Sequence, residues 1–148
     1  MKAFWVSKRL AFGGAITTWQ HVGKLQDLGI THVVNLRSNK HGKKIRQFKN
    51  LWLSFRDDMQ PRPKWFYRDA SRFYRKAMRK SKSKVFVMCH HGICRSASLT
   101  YFLLRIDGLS PEKAKNTVLK TRPCSRVVPA YQESGERFLK RHGKGRGR

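Results

Sequence analysis

The sequence predicts an α/β fold: a single domain in which a central, mostly parallel, twisted sheet of four or five strands has helices on both faces. Short runs rich in β-branched and aromatic residues alternate with longer segments of helical periodicity. The chain has 148 residues, enough for one domain with a substantial core. We expect the domain to occupy residues 1–141. A basic, disordered tail is expected at 142–148, because HGKGRGR has no apolar side chain to anchor it.

The N-terminal part is predicted to contain a helix between strands. Residues 4–14 are expected to form one or two short strands with a Gly-Gly turn. Thr17 or Thr18 can cap a helix that extends to Leu28, because a glycine follows as a stop signal. Residues 30–36 are rich in β-branched side chains and are predicted to form a strand.

The middle of the chain contains a basic loop, a strand and a long amphipathic helix. RSNKHGKK at 37–44 is predicted to be the loop, and the strand is expected around 51–55. The helix is predicted over about 64–80, after a Pro-Arg-Pro turn signal. Its core face is expected to carry Phe66, Ala70, Phe73 and Ala77. A basic stripe on another face is either solvated or a binding surface, and it consists of Arg68, Arg72, Arg75 and Arg79, with Lys76 beside them.

The C-terminal half begins with a strand at Val85–Met88. Its four consecutive apolar residues are typical of a central strand buried on both faces. A helix is predicted over 96–107, and Ser110 followed by Pro111 is typical of the start of another. A last helix is predicted over about 129–140.

Charge is the most unusual property of the composition. Lys and Arg together number 34, against 8 Asp and Glu, and the net charge is +26. Such a surface attracts polyanions, so nucleic acid, an acidic membrane leaflet or a phosphorylated partner could bind it. The alternative is that the proteins of the host are generally basic.

The composition also indicates where the protein acts. No run of 18 apolar residues is present, and charged residues interrupt the N-terminus where a signal peptide would be apolar. Three cysteines, an odd number, fit a reducing compartment better than a disulfide framework. We therefore expect a cytoplasmic protein without a transmembrane segment, and a monomer.

The segment VFVMCHHGICRS at 85–96 carries the richest chemistry, because a strand ends there in two thiols, two imidazoles and a guanidinium. A metal site, a redox pair and a nucleophilic phosphate pocket would each use such groups. Adjacent His90 and His91 tend to point apart, and no second Cys/His cluster completes a tetrahedron with Cys89 and Cys94. We therefore expect no metal and no other cofactor.

The phosphate interpretation follows from the spacing C-x-x-G-x-x-R-S, which begins at Cys89. A loop of this length between strand and helix can turn successive backbone N–H groups inward, with Gly92 permitting the required backbone angle. Arg95 can then donate two hydrogen bonds to phosphoryl oxygens. The amides and the helix N-terminus favour the thiolate of Cys89 as a phosphoryl acceptor, and Ser96 can assist its departure.

This chemistry also needs a group that protonates the leaving oxygen and later takes a proton from water. Acidic residues are scarce, and Asp57 and Asp58 follow the end of a predicted strand. Asp27, Asp69 and Asp107 fall within or at the ends of helices and are more simply surface charges or caps. The residues alone leave both Asp57 and Asp58 open as the acid.

With these residues in place, the sequence resembles the small dual-specificity phosphatases of the cysteine-dependent protein tyrosine phosphatase superfamily. CHHGICRS matches the family's C-x5-R-[ST] signature, and LSFRDD resembles the segment with its general acid. LAFGGAITTWQHVGKLQDLGITHVVNLRS resembles the N-terminal strand, helix and strand of the family. SLTYFLLRIDGLSPEKAKNTVLKTRP and PAYQESGERF resemble its C-terminal helices. The similarity covers almost the whole chain, with the acid before the nucleophile.

The resemblance implies a protein tyrosine phosphatase-like catalytic domain over 1–141 and a role for each site residue. Cys89 would be the nucleophile, and Arg95 would bind the phosphate and stabilise the transition state. Asp57 aligns best with the general acid and base, and Ser96 would assist the thiolate as leaving group. The phosphate-binding loop would also contain His90, His91, Gly92, Ile93 and Cys94.

Two positions depart from the family's pattern. Met88 stands where the family usually has a histidine, so the thiolate of Cys89 is expected to be less well stabilised. Cys94 stands where relatives more often have a small residue. It is either a packing residue or a thiol that protects Cys89 through a reversible disulfide, for which Cys124 is an alternative partner.

The leading functional hypothesis is a phosphomonoester hydrolase that forms a phosphocysteine intermediate. Its expected substrates are phosphorylated proteins, at phosphotyrosine and at phosphoserine or phosphothreonine. A first alternative is the same chemistry on a non-protein polyanion, such as RNA 5′ phosphates or a phosphoinositide. A second is a catalytically impaired phosphate-binding protein, which Met88 alone supports.

The polyanion alternative draws on the charge and on two further features. His90 and His91 either point to solvent or line the pocket, where protonation would favour polyanionic substrates. Trp65 and Tyr67 lie beside basic residues, as in proteins that bind single-stranded nucleic acid. Nucleic acid is therefore a further expected partner of the basic surface.

Overall fold

The computed structural model describes residues 1–38 and 42–143, which form a five-stranded sheet and five α-helices. The strands are β1 (Phe4–Trp5), β2 (Leu10–Gly13), β3 (His32–Asn35), β4 (Lys49–Trp52) and β5 (Val85–Met88). The helices are α1 (Trp19–Asp27), α2 (Lys64–Met78), α3 (Arg95–Ile106), α4 (Pro111–Thr121) and α5 (Pro129–Phe138). A short 3₁₀ helix spans Ile45–Gln47, and a π-helical turn over Leu139–Gly143 continues α5.

The sheet has the strand order β1-β2-β5-β3-β4. Only β1 is antiparallel to its neighbour, and all other pairs are parallel, so the predicted fold class is confirmed. The central strand β5 pairs with β2 on one side and β3 on the other, which aligns Met88 with Gly13 and with Asn35. The loops that follow these three parallel strands therefore leave the sheet at the same edge.

Helices cover both faces of the sheet. On β5, Phe86 and Met88 face α1 and pack with Val22 and Leu25, while Val85 and Val87 face the layer formed by the other helices. This alternation follows from the two-residue period of a strand. All four residues of β5 are buried, as predicted for a central strand.

Several helix starts have the expected capping groups. The hydroxyl of Thr18 accepts a hydrogen bond from the backbone N–H of His21, and that of Ser110 accepts one from Lys113. Pro111 occupies the first turn of α4. The predicted caps of α1 and α4 are therefore confirmed.

Three local predictions need correction. β4 ends at Trp52, before most of the predicted strand 51–55. Phe73 is only partly buried, because the buried face of α2 is centred on Phe66, Ala70 and Tyr74. Tyr67, which the sequence associated with the basic surface, is also buried and donates its hydroxyl hydrogen bond to the carbonyl of Tyr131.

Two basic segments are described in part. In the loop predicted at 37–44, residues 39–41 lie outside the described residues. In the tail predicted at 142–148, residues 144–148 lie outside them, whereas 142 and 143 belong to the π-helical turn. Among the helices that the structure describes, none has the length and apolar character needed to cross a membrane.

Candidate active site

The segment from Cys89 to Ser96 connects the central strand β5 to the first turn of α3. Cys89 is almost completely buried, with 2% of its surface exposed. The backbone N–H of Gly92 donates a hydrogen bond to Cys89 Sγ at 3.1 Å, and Ser96 Oγ lies 3.3 Å from the same sulfur. An amide, a hydroxyl and a helix N-terminus thus converge on the thiol, an arrangement that stabilises negative charge on sulfur.

The carbonyl groups of the loop are held on its outer side. The carbonyl of His90 accepts from Ala15 N at 3.4 Å, and that of Ile93 accepts from Arg126 N at 2.9 Å. Those of His91 and Gly92 both accept from the guanidinium of Arg122. Because C=O and N–H point in opposite directions across a trans peptide, the N–H groups of residues 91–94 face the inside of the loop. These inward amides form an anion-binding nest.

Gly92 gives the loop its shape. It has a φ of +71°, in the left-handed region that glycine adopts without strain. A Cβ at this position would lie 2.4 Å from the carbonyl carbon of Gly13 and 2.7 Å from the nitrogen of Gly14. Of the Gly-Gly pair, which was predicted to form a turn, Gly13 ends β2 and Gly14 follows it, and their backbone lies against Gly92.

Arg95 is the first residue of α3 and is half-buried. Its Nη1 donates to the carbonyl of Phe55 at 2.8 Å and lies 3.4 Å from the carbonyl of Leu36. Leu36 follows β3, and Phe55 precedes the acidic pair Asp57-Asp58. The guanidinium is therefore fixed at the strand edge where the nest opens, beside the segment that carries the predicted acid.

Asp57 is exposed and is held by a residue of α5. Tyr131 donates its hydroxyl hydrogen bond to Asp57 Oδ1 at 3.0 Å and accepts one from the backbone N–H of Met59 at 2.8 Å. Burial raises the pKa of Tyr131 to about 12, so its hydroxyl keeps the proton it donates. The Asp57 carboxyl is thus oriented from outside its own loop.

Asp58 faces its own loop instead. Its Oδ1 accepts from Gln60 N at 3.0 Å and from Arg62 Nη2 at 2.9 Å. The hydrogen bond from the Gln60 amide, together with the Arg62 charge, lowers the pKa of Asp58. These bonds hold the Asp58 carboxylate within its own loop, whereas the Asp57 carboxylate is held from α5.

Both loop histidines are exposed, and their rings lie 4.2 Å apart between centroids. The neighbouring imidazole of His91, followed by desolvation and by the charges of Arg37 and Arg95, lowers the pKa of His90. His90 therefore becomes protonated only at a more acidic pH than an ordinary histidine. Arg37, which follows β3, therefore also lies near the pocket.

The two departures from the family's pattern have a packing explanation. Met88 is fully buried in the core on the α1 side, so its thioether has an apolar environment. Cys94 is half-buried and packs against the main core. Burial, with the Asp57 charge adding to it, raises the pKa of Cys94, which disfavours its thiolate and supports the packing interpretation. Cys124 is exposed.

Sequence reasoning missed three residues that position the site: Tyr131, Arg122 and Arg126. Each follows or lies within a correctly predicted helix, but its partner is more than 30 positions away along the chain, and nothing in the local pattern indicates it. Near Arg122 the sequence shows only that a helix ends, because a proline follows, and this does not indicate a contact with the loop. No cluster of three or more potential metal ligands occurs within the described ranges.

Comparison with known proteins agrees with this geometry. The family model "Dual specificity phosphatase, catalytic domain" matches residues 14–134. A sequence search of curated proteins found no match.

Several solved structures have the same fold. One is PTPMT1 in complex with PI(5)P, with a TM-score of 0.81 and 19% identity, covering 97% of each chain. Human DUSP28 has a TM-score of 0.79 and 22% identity, covering 95% of this chain and 97% of its own. DUSP15 has a TM-score of 0.78 and 20% identity, covering 97% and 96%.

Proposed function

The chain belongs to the dual specificity phosphatase family and is a cysteine-dependent phosphatase, and on that premise we propose that it hydrolyses phosphomonoesters through a phosphocysteine at Cys89. One observation carries this proposal. The sulfur of Cys89 lies beside the amide of Gly92 and the hydroxyl of Ser96, in a loop whose carbonyls are bonded on the outer side. A phosphoryl group that enters this loop meets a nucleophile and a set of inward N–H donors.

In the first step, the thiolate of Cys89 attacks phosphorus in line with the leaving oxygen. The S–P bond forms as the P–O bond breaks, and Asp57 gives its proton to the departing alkoxide or phenoxide. The nest amides and the guanidinium of Arg95 bind the equatorial phosphoryl oxygens, where negative charge is concentrated. The first product is the free alcohol or phenol.

In the second step, water attacks the phosphocysteine. Asp57, now a carboxylate, takes a proton from this water, and the S–P bond breaks to release inorganic phosphate. Ser96 Oγ accepts from the Cys89 thiol at 3.3 Å in the structure, and its hydroxyl donates to the sulfur once the sulfur leaves as a thiolate. Each residue returns to its starting protonation state, and the cycle requires no metal.

We assign phosphorylated proteins as the substrate, with phosphotyrosine and phosphoserine or phosphothreonine both accepted. The support is the open entrance to the loop. The thiol itself is almost buried, but Asp57, His90 and His91 at the rim of the loop are all exposed and build no high wall above it. A shallow entrance admits the short side chains of phosphoserine and phosphothreonine as well as the longer phosphotyrosine.

The acid assignment is tested with Asp57→Asn. We expect kcat for phenyl phosphate to fall by about 10²-fold, and the alkaline limb of the pH–rate profile to flatten, because no proton donor remains. The effect should be smaller for p-nitrophenyl phosphate, whose leaving group needs less protonation.

The matched control is Asp58→Asn, one position away, which should change kcat less than about threefold. Equal decreases in both variants, or an unchanged alkaline limb in Asp57→Asn, would overturn the assignment of Asp57.

A second candidate substrate, a non-protein polyanion such as a phosphoinositide or an RNA 5′ end, is favoured by the cations around the loop. The backbone N–H of Arg126 is bonded to Ile93, and its carbonyl accepts from Ser98 Oγ at 3.3 Å, so this exposed arginine is fixed beside the nest. Arg37 lies close enough to influence His90. Two such cations could bind a second phosphate next to the one that reacts.

The double variant Arg37→Gln/Arg126→Gln separates the two substrate classes. If polyanions are preferred, kcat/KM for a substrate with neighbouring phosphates should fall by about tenfold, while that for a singly phosphorylated peptide changes little. The control is Lys115→Gln/Lys120→Gln, which removes the same charge from the exposed face of α4. A uniform fall for both substrates would argue against this candidate.

A further inference from the structure

A basic groove lies along α2, on the side where the C-terminal end of α5 packs. It has a volume of about 680 Å³, and α2 contributes Lys64, Trp65, Arg68, Arg72 and Arg75 to its walls. Phe138, at the end of α5, is also part of the lining. We call this the α2–α5 groove. None of its lining residues belongs to the Cys89–Ser96 loop or to the Asp57-Asp58 pair, so it is separate from the site described above.

Trp65 is the unusual side chain of the groove. It is 47% exposed, although an indole of this size is normally mostly buried. One edge contacts the ring of Phe66, at 6.4 Å between centroids and 67° between planes. The core does not need this side chain, because Phe66 and Ala70 already form the buried face of α2. An exposed indole within a groove offers a flat surface on which a planar ring can stack.

The cations of the groove follow one row of the helix. Lys64, Arg68, Arg72 and Arg75 are three or four positions apart, which places one positive charge on each turn, about 5.4 Å apart along the axis. One carboxylate is in contact with this row in the described part of the chain, that of Asp69, 3.3 Å from Arg68 Nε. Such a row is complementary to a ligand that carries negative charges at regular intervals.

The positive surface continues beyond Phe138. A smaller adjoining cleft of about 150 Å³ is lined by Arg62, which pairs with Asp58, and by Arg137 and Arg141. Arg137 and Arg141 extend the row of α2 across the end of α5. The combined surface is long enough for an extended chain rather than for a single small anion.

We propose that the α2–α5 groove binds a segment of single-stranded nucleic acid, with a base stacked on Trp65 and the phosphodiester groups paired with the cations of α2. An anionic membrane fits this site poorly, because the indole lies in a concavity, whereas membrane insertion uses a protruding apolar side chain. An acidic peptide would pair with the cations but has no general use for a flat aromatic platform. Regular phosphates alternating with planar rings match both features.

The test measures binding of a fluorescein-labelled, 12-nucleotide oligouridylate to the full chain by fluorescence anisotropy. Trp65→Ala should weaken binding by about tenfold, because the base can no longer stack on the indole. Arg68→Gln/Arg72→Gln should weaken it and reduce the slope of log Kd against log salt by about 1.4, since each phosphate that is no longer neutralised accounts for about 0.7. Lys115→Gln/Lys120→Gln, with the same net charge, should bind like wild type.

A competition experiment separates base stacking from charge alone. Inorganic polyphosphate has phosphates without rings, so Trp65→Ala should leave its affinity unchanged while weakening that of the oligouridylate. Trp65→Leu, which keeps an apolar side chain, should behave like Trp65→Ala. The proposal would be overturned if Trp65→Ala weakened the binding of both ligands equally. It would also be overturned if Arg68→Gln/Arg72→Gln and Lys115→Gln/Lys120→Gln weakened oligouridylate binding equally. A third outcome would also overturn the proposal: Trp65→Ala weakens binding to vesicles containing phosphatidylserine but does not weaken binding to the oligouridylate.

Hydrolysis of p-nitrophenyl phosphate by the same proteins keeps the two proposals apart. The Trp65 and Arg68/Arg72 variants should hydrolyse it at the wild-type rate, which also shows that they are folded. Cys89→Ser should bind the oligouridylate with wild-type affinity. If the groove variants bind the oligouridylate as tightly as wild type, only the proposal about the α2–α5 groove is overturned. If wild type is inactive but still binds the oligouridylate, only the catalytic proposal is overturned.

Discussion

Replacing Cys89 with serine is expected to lower kcat for p-nitrophenyl phosphate by at least about 10⁴-fold, in the presence of EDTA and across pH 5 to 8. The reason is that a serine hydroxyl is a far weaker nucleophile and a far poorer leaving group than cysteine sulfur. Serine has an oxygen where cysteine has the larger sulfur, and this oxygen can still accept a hydrogen bond from Gly92 and form one with Ser96, so the loop should keep its shape. Steady-state phosphate release measures the effect.

Cys124→Ser is the matched control, because Cys124 is an exposed thiol outside the loop. It should retain the wild-type rate. Wild-type protein should also retain a phosphoryl group on Cys89 after rapid acid quenching, seen as a mass increase on the peptide that contains residue 89. Substantial turnover by Cys89→Ser would contradict a phosphocysteine mechanism.

Replacing Arg95 with lysine is expected to lower kcat by about 10³-fold although the positive charge is kept. Lysine cannot present two parallel N–H donors to a phosphoryl group, and its single ammonium cannot keep the hydrogen bond to Phe55 while it binds the substrate. KM should rise as well, because ground-state phosphate binding also weakens. Kinetics at several substrate concentrations separate the two effects.

The control for this variant is Arg79→Lys, an exposed arginine at the end of α2, which should leave both constants unchanged. Inorganic phosphate, as a competitive inhibitor, gives a second readout, and its inhibition constant should increase in Arg95→Lys. If the lysine variant retained more than about a tenth of the wild-type kcat, the bidentate role of Arg95 would be wrong.

The sequence indicated the fold and the Cys89–Ser96 loop because both depend on local patterns. The apolar run of β5, the caps at Thr18 and Ser110 and the spacing from Cys89 to Arg95 can each be read within a dozen residues. Parallel pairing brings the ends of β2, β3 and β5 to one edge of the sheet, and the alternation of strands and helices predicts such pairing.

The contacts that complete the site could not be read in this way. Tyr131 reaches Asp57 across 74 positions, and Arg122 reaches the carbonyl of His91 across 31. Their geometry depends on how α4 and α5 pack on the sheet, not on any pattern in their own segments. The different orientations of Asp57 and Asp58 depend in turn on Tyr131, a contact that the residues alone do not indicate.

The contact between the Gly13-Gly14 backbone and Gly92 has a consequence for where the cooperative unit of this protein begins and ends. The family match starts at residue 14, yet Leu10–Gly13 is a buried strand of the sheet. The guanidinium of Arg122, which binds the loop, also lies 4.4 Å from the centre of the Phe4 ring. At the other end the match stops at 134, before Glu136 pairs with Arg105 at 2.8 Å. The region that matches the family model is therefore smaller than the folded domain, and Phe4 and Gly13, outside the match, pack behind the Cys89–Ser96 loop.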